Sequence, residues 1–155
     1  MTREHVAYRY FEDFVAGETL ELGSVAFTEA EIIDFARAYD PQPMHTDPEA
    51  ARRSIYGGLI ASGWQTATSY MRMLVDRVMR DSHSIGSPGI DNLRWLKPVR
   101  PGDTLRGRFT VLDAKPSRSR PEWGIVRSRG EMLNQNGEVV MSLEAVNFFA
   151  RRPGA

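Results

Sequence analysis

From Gly89 onward the sequence carries four strand-like runs in succession: Gly89 to Trp95, Asp103 to Leu112, Trp123 to Asn134 and Val139 to Phe149. In the second run Leu105, Gly107, Phe109 and Val111 alternate with Arg106, Arg108 and Thr110. That period of two is the mark of a strand with one buried and one wet face. Asn136-Gly137, two residues that tolerate positive φ, predicts a hairpin turn between the last two runs, and Pro98 to Pro101 with Gly102 marks another break. Ala114 to Pro121, with its prolines, serines and arginines, reads as a flexible loop. Consecutive strands with such connections should pair into one antiparallel sheet.

The helical signals lie upstream. Tyr10 to Glu18 reads as an extended segment entering a turn, and Leu20, Leu22 and Val25 to Phe27 as a first strand. Thr28 with Glu31 matches a capping box, and Ile32, Ile33, Ala36 and Tyr39 follow at helical spacing until Pro41 ends the run. Asp47 as N-cap with Pro48 behind it predicts a short second helix. The longest helical pattern runs from Ser62 to about Arg80, with Ala67, Met71, Leu74, Val75 and Val78 on its apolar face. Helices early and strands late argue for an α+β fold rather than alternating α/β. With no internal repeat, the 155 residues are expected to form a single domain over 1–155, burying roughly 70% of the unfolded surface.

Lysine plus arginine and aspartate plus glutamate are equal at 20 each, so no net field favours nucleic acid or an anionic membrane surface. Cysteine is absent, which removes disulfides, thiolate nucleophiles and cysteine-based zinc sites together. His5 and His83 lie in polar surroundings with no partner at ligand spacing, so no metal site is expected. The segment from Met1 to Tyr8 lacks the apolar core of a signal peptide, and no apolar run approaches the ~18 residues that span a bilayer. A cytoplasmic protein is the expectation.

Chemistry concentrates in Asp40-Pro41-Gln42-Pro43-Met44-His45 and in Gly57-Gly58-Leu59-Ile60-Ala61-Ser62-Gly63-Trp64. The first segment brings a carboxylate and an imidazole, with two prolines that should make it a stiff extended loop rather than a helical turn. The second offers backbone donors. It is no phosphate-binding loop, because no Gly-Lys-Ser/Thr follows, and Ser62 lacks the Gly-x-Ser-x-Gly elbow of a serine hydrolase, which leaves it as the N-cap of the long helix.

These residues resemble the MaoC-like dehydratase family, hot-dog-fold proteins that include (R)-specific enoyl-CoA hydratases. The family's Asp-x-Asn-Pro-aliphatic-His motif, followed six residues later by a small residue, is matched by Asp40, Pro43, Met44, His45 and Ala51. Gly57 to Gly63 looks like the family's glycine-rich lead-in to the central helix, and Pro98 to Leu105 like its strand connection. Two positions depart from the pattern: Gln42 stands for asparagine, and Tyr39 for a glycine. The resemblance implies a long helix wrapped by a curved antiparallel sheet, a homodimer or higher homo-oligomer, an acyl-thioester tunnel, and a CoA or carrier-protein thioester as substrate without further cofactor.

Water addition to a 2-enoyl thioester requires a base for water, a proton for the α-carbon and a donor for the enolate oxygen. Asp40 and His45 are the candidates for the first two, by general acid–base work commonly worth ~10²–10⁴ in rate. Gly63, at the amino end of the long helix, is the candidate oxyanion donor, its missing Cβ leaving room for the thioester. Gln42, Ser62 and Trp64 are candidate substrate-binding residues. Gln42 either braces the loop or touches substrate, and Trp64, Tyr70, Met71, Met73 and Met79 are read as core and tunnel wall. Arg94, Lys97 and Arg100 could meet CoA phosphates or simply face solvent. Two other readings stay open: a thioesterase of the same fold, and a non-catalytic acyl-thioester binding module.

Overall fold

The computed structural model describes residues 8–155. His5, the signal-peptide reading and the first residues of the expected 1–155 domain fall outside that range. The elements run in the order of a single-turn 3₁₀ helix (Phe11–Asp13), β1 (Thr19–Ala26), α1 (Glu29–Tyr39), α2 (Pro43–Thr46), α3 (Pro48–Arg52), α4 (Gly63–Leu74) with a π-helical continuation (Val75–Met79), then β2 (Ser84–Trp95), β3 (Thr104–Pro116), β4 (Trp123–Leu133) and β5 (Val139–Ala150). The expected α+β arrangement holds. All five strands join one antiparallel sheet in the order β1-β3-β4-β5-β2. Register breaks in every pairing, three of them between β2 and β5, bend and twist the sheet.

Helix α4 lies against β1, β3, β4 and β5. Its Tyr70, Met73 and Leu74, with Val78 just beyond, enter a core built by Leu105, Phe109 and Val111 of β3, Val126 and Met132 of β4, and Met141 and Phe149 of β5. Burial of side chains of this size, at roughly 1.5–3 kcal/mol each, is the main force holding helix to sheet. Gly130 of β4 lies under the Tyr70 ring: a Cβ there would stand 2.8 Å from Cε1 and closer to the hydroxyl end. Burial pushes the Tyr70 phenol far above its ordinary value, with the Glu131 carboxylate adding to the shift.

Several local expectations need correction. Tyr10 to Glu18 contains a 3₁₀ turn, closed by the Asp13 carboxylate accepting from the Tyr10 amide at 2.9 Å. Residues 40–45 are not extended throughout: Pro43 opens α2, because a proline at the first helical position loses no needed donor and already has helical φ. The long helix stops being α-helical after Leu74, where Arg80 N–H bonds Val75 C=O across a π turn. Leu74 and Val78 are buried as expected, but they share the buried face with Thr66, Tyr70 and Met73, the Tyr70 ring lying on a glycine of β4, while Met71 is half exposed. Tyr39 is 75% exposed, its ring tilted against Phe35 at 5.0 Å. Ala114 to Pro116 extend β3, which narrows the expected loop to residues 117–122. In the 134–138 turn only Gly137 has positive φ. His83 is not in polar surroundings: its ring stacks on Tyr10 at 3.9 Å and tilts against Tyr8 at 5.0 Å.

The capping expectations hold in outline. Thr28 Oγ1 accepts from Glu31 N–H at 3.2 Å, and Asp47 Oδ1 accepts from the amides of Glu49 and Ala50. Among the described residues no helix is long and apolar enough to cross a membrane.

Candidate active site

Helix α1 ends where Pro41 cannot continue it, and Asp40, its C-cap, turns toward the start of α4. Gln42 N–H then donates to Asp40 C=O at 2.7 Å, and Pro43 starts the single turn that carries His45 inward, where it is only 4% exposed. The loop before α4 is fixed to this turn by Ile60 N–H on Met44 C=O and to the 96–103 connection by Ala61 N–H on Val99 C=O. Two separate stretches of sequence are thereby held against each other by backbone bonds.

The side chains converge on Asp40. Its Oδ1 accepts from Gln42 Nε2 at 2.7 Å, and its Oδ2 accepts from Ser62 Oγ at 2.7 Å. The Gln42 amide, then the Ser62 hydroxyl, hold the carboxyl below its ordinary value against the opposing effect of burial, which itself exceeds the remaining electrostatic pull of His45. Oδ2 also faces His45 Nε2 at 3.4 Å. The other ring nitrogen, Nδ1, lies 2.8 Å from Ile60 C=O. A carbonyl can only accept, so Nδ1 donates its proton to Ile60 C=O and Nε2 is the ring nitrogen aimed at Asp40.

Ser62 is the N-cap of α4, accepting from Trp64 N–H at 3.3 Å while donating to Asp40. Gly63 follows as the first helical residue, and its N–H meets no acceptor among the described residues, as expected at a helix start. It lines a cavity of about 220 Å³ with His45, Thr66, Trp95, Val99 and Val140. The space a Cβ of Gly63 would need is not open: such an atom would stand 2.6 Å from Trp95 Nε1 and closer to the ring fusion. An indole, rather than vacant room for substrate, is what requires a glycine there.

The six candidate residues thus separate into groups. Asp40, Gln42, His45 and Ser62 form one hydrogen-bonded cluster, with Gly63 beside it on the cavity wall. For Gln42 the observed bond is the bracing one, its extra methylene letting the amide fold back onto Asp40. Trp64 stands apart, 54% exposed, its ring edge-to-face with Trp95 at 5.1 Å. Of the basic residues, Lys97 lines the cavity while pairing with Glu138, and Arg100 donates to Tyr56 C=O. Ile60 and Trp95 escaped sequence reasoning. A carbonyl that orients an imidazole leaves no trace in residue type, and Trp95 looked like an ordinary strand end.

Comparison with known proteins identifies the fold and the family. The crystal structure of a MaoC-like dehydratase from Rhodospirillum rubrum matches with a TM-score of 0.86 and 42% identity, covering 94% of this chain and 99% of that one. The protein YdeM of Bacillus subtilis is 31% identical over 124 residues, 80% of this chain and 86% of its own. A 3-hydroxybutyryl-CoA dehydratase of Methylorubrum extorquens is 27% identical over 139 residues, 86% of this chain and 83% of that enzyme. The fold is the hot-dog fold, shared at a TM-score of 0.80 and 14% identity with a double-hotdog protein of Mycobacterium tuberculosis. The MaoC like domain model matches residues 13–128, most of the span that builds the sheet, the helix and the Asp40–His45 pair, and the chain belongs to that family.

Proposed function

We propose that this chain is a hydratase/dehydratase that reversibly adds water to a 2-enoyl thioester, giving an (R)-3-hydroxyacyl thioester. The observation that carries the reading is the pair Asp40 Oδ2 and His45 Nε2, 3.4 Å apart, with His45 and Gly63 lining one cavity and the Gly63 N–H meeting no acceptor among the described residues. With the imidazole in its neutral form, a water set against Oδ2 and Nε2 donates a hydrogen to each. As its oxygen bonds to the β-carbon, the pair takes one proton, and the π electrons move onto the thioester oxygen. Gly63 N–H, at the positive end of α4, stabilises that enolate; a donor so placed is typically worth ~10²–10³ in rate. Return of a proton from the pair to the α-carbon, on the same face, completes the addition. Ile60 C=O keeps the imidazole in the tautomer the step needs.

Membership of the family and likeness to the Methylorubrum dehydratase support this class of reaction. The active form is read as a homodimer joined along β2, an edge strand exposed at every residue but Leu93, with Ile85 and Ile90 among them.

The test is an absorbance assay of the purified protein against short, medium and branched 2-enoyl-CoA substrates, beside Asp40→Asn. Enoyl loss with formation of the 3-hydroxy thioester, abolished in the variant, is expected. Release of free CoA would replace the reading with a thioesterase, and binding without turnover with a binding module.

A further inference from the structure

Trp95 is the side chain on the cavity that the hydration scheme leaves without a part. It ends β2, paired with Met141 of β5, and the next two amides, of Leu96 and Lys97, both point to Val140 C=O at 2.8 and 3.4 Å. Val140 is itself buried and lines the same cavity. The backbone beneath the indole is therefore pinned to β5. The ring is held twice more: its face lies on the Cα of Gly63, where a Cβ could not fit, and its edge meets Trp64. A side chain fixed from three directions behaves as a wall rather than a lid.

That wall stands at a decisive place. A thioester whose carbonyl oxygen accepts from Gly63 N–H must run its acyl chain away from that point, between the indole and the buried residues His45, Thr66 and Val140. The cavity measures about 220 Å³. Since roughly 150 Å³ suffices for one benzene ring, a space of this size suits a short acyl portion rather than a long one. We infer that Trp95 is a specificity-determining residue that closes the acyl slot behind Gly63 and restricts the site to short acyl thioesters. The inference rests on the acyl-thioester reading of the cavity but not on turnover.

Calorimetric binding of saturated butyryl-, hexanoyl-, octanoyl- and dodecanoyl-CoA, which cannot be hydrated, separates the two. Wild-type protein should bind the first two at least tenfold more tightly than the last two. Trp95→Ala should gain at least tenfold for octanoyl- and dodecanoyl-CoA while losing affinity for butyryl-CoA, with Trp95→Phe between. Circular dichroism and Tm verify folding, and Trp95→Phe serves alone if the alanine variant does not fold. Equal wild-type affinity across the series, an absence of binding by all four, or an unchanged preference in the folded variants would overturn the assignment. Enoyl-CoA turnover by the same proteins reads the other question: length-selective binding without hydration keeps the wall and discards the hydratase, while hydration with a flat length profile does the reverse.

Discussion

At the residue scale the site turns on how one carboxylate is held. Asp40 accepts from both Gln42 and Ser62, so its proton is lost more readily in the fold than in the unfolded chain. A group depressed in this way adds stability at pH above the ordinary aspartate range, and that contribution is lost as the pH falls through the lower folded value. In the proposed reaction the same bonds set the acid edge of turnover. Removing either donor raises the Asp40 pKa, so the acid limb of the kcat/KM–pH profile should move to higher pH in Gln42→Ala and in Ser62→Ala. The shift, rather than a loss of activity alone, marks both as positioning residues. An acid limb unmoved in both variants would mean that a group other than Asp40 governs it. Asp40 and His45 could be read from sequence because a short motif five residues apart was enough to bring them together. Ile60 could not, since its part is played by its carbonyl, and Trp95 could not, since its partner Gly63 lies on another element.

At the element scale, the parts whose cause is local were legible. The N-caps of α1 and α3, the alternation in β3 and the break before β3 all appear where side-chain chemistry next to the boundary demands them. What sequence alone missed is decided by contact between elements. The face that α4 buries follows Tyr70 because β4 offers Gly130 beneath the ring, and the π turn at Val75–Met79 changes the helix geometry beyond Leu74. A methyl group at that point has nowhere to go without moving the ring or the strand. Gly130→Ala should destabilise the fold by about 1–3 kcal/mol, the usual cost of overpacking, read as a lower denaturant midpoint with unchanged m-value. Tyr70→Phe does not refill the space, since the clash involves the ring, so the double variant should recover little of the loss.

At the scale of the whole molecule the sheet has two edges, β1 and β2, and they are not alike. β2 combines three register breaks, the positive-φ residue Asn92 and near-complete exposure. Its exposure makes this edge a place for pairing with another strand, and the register breaks limit how much of it can pair. If the proposed dimer forms there, sedimentation should give twice the 17.5 kDa chain mass, and Tm should rise with protein concentration, as mass action requires of an assembly whose folded chains bind one another. A single species at chain mass with a concentration-independent Tm would place the active unit in one chain. Beside the start of β2, where His83 stacks on Tyr10, Arg152 donates to Asp13 and covers the Tyr10 ring, while Arg151 and the Arg152 amide bond Glu12. Residues 10–13 and 151–152 are thus neighbours in space, although nearly the full length of the polypeptide separates them. The order in which the elements are strung is accordingly a separate matter from the way they pack: a short bridge could join residue 152 to residue 10, and the 117–122 loop between β3 and β4 could be cut to give a new start and finish, leaving every strand pairing and the Asp40–His45 pair in place.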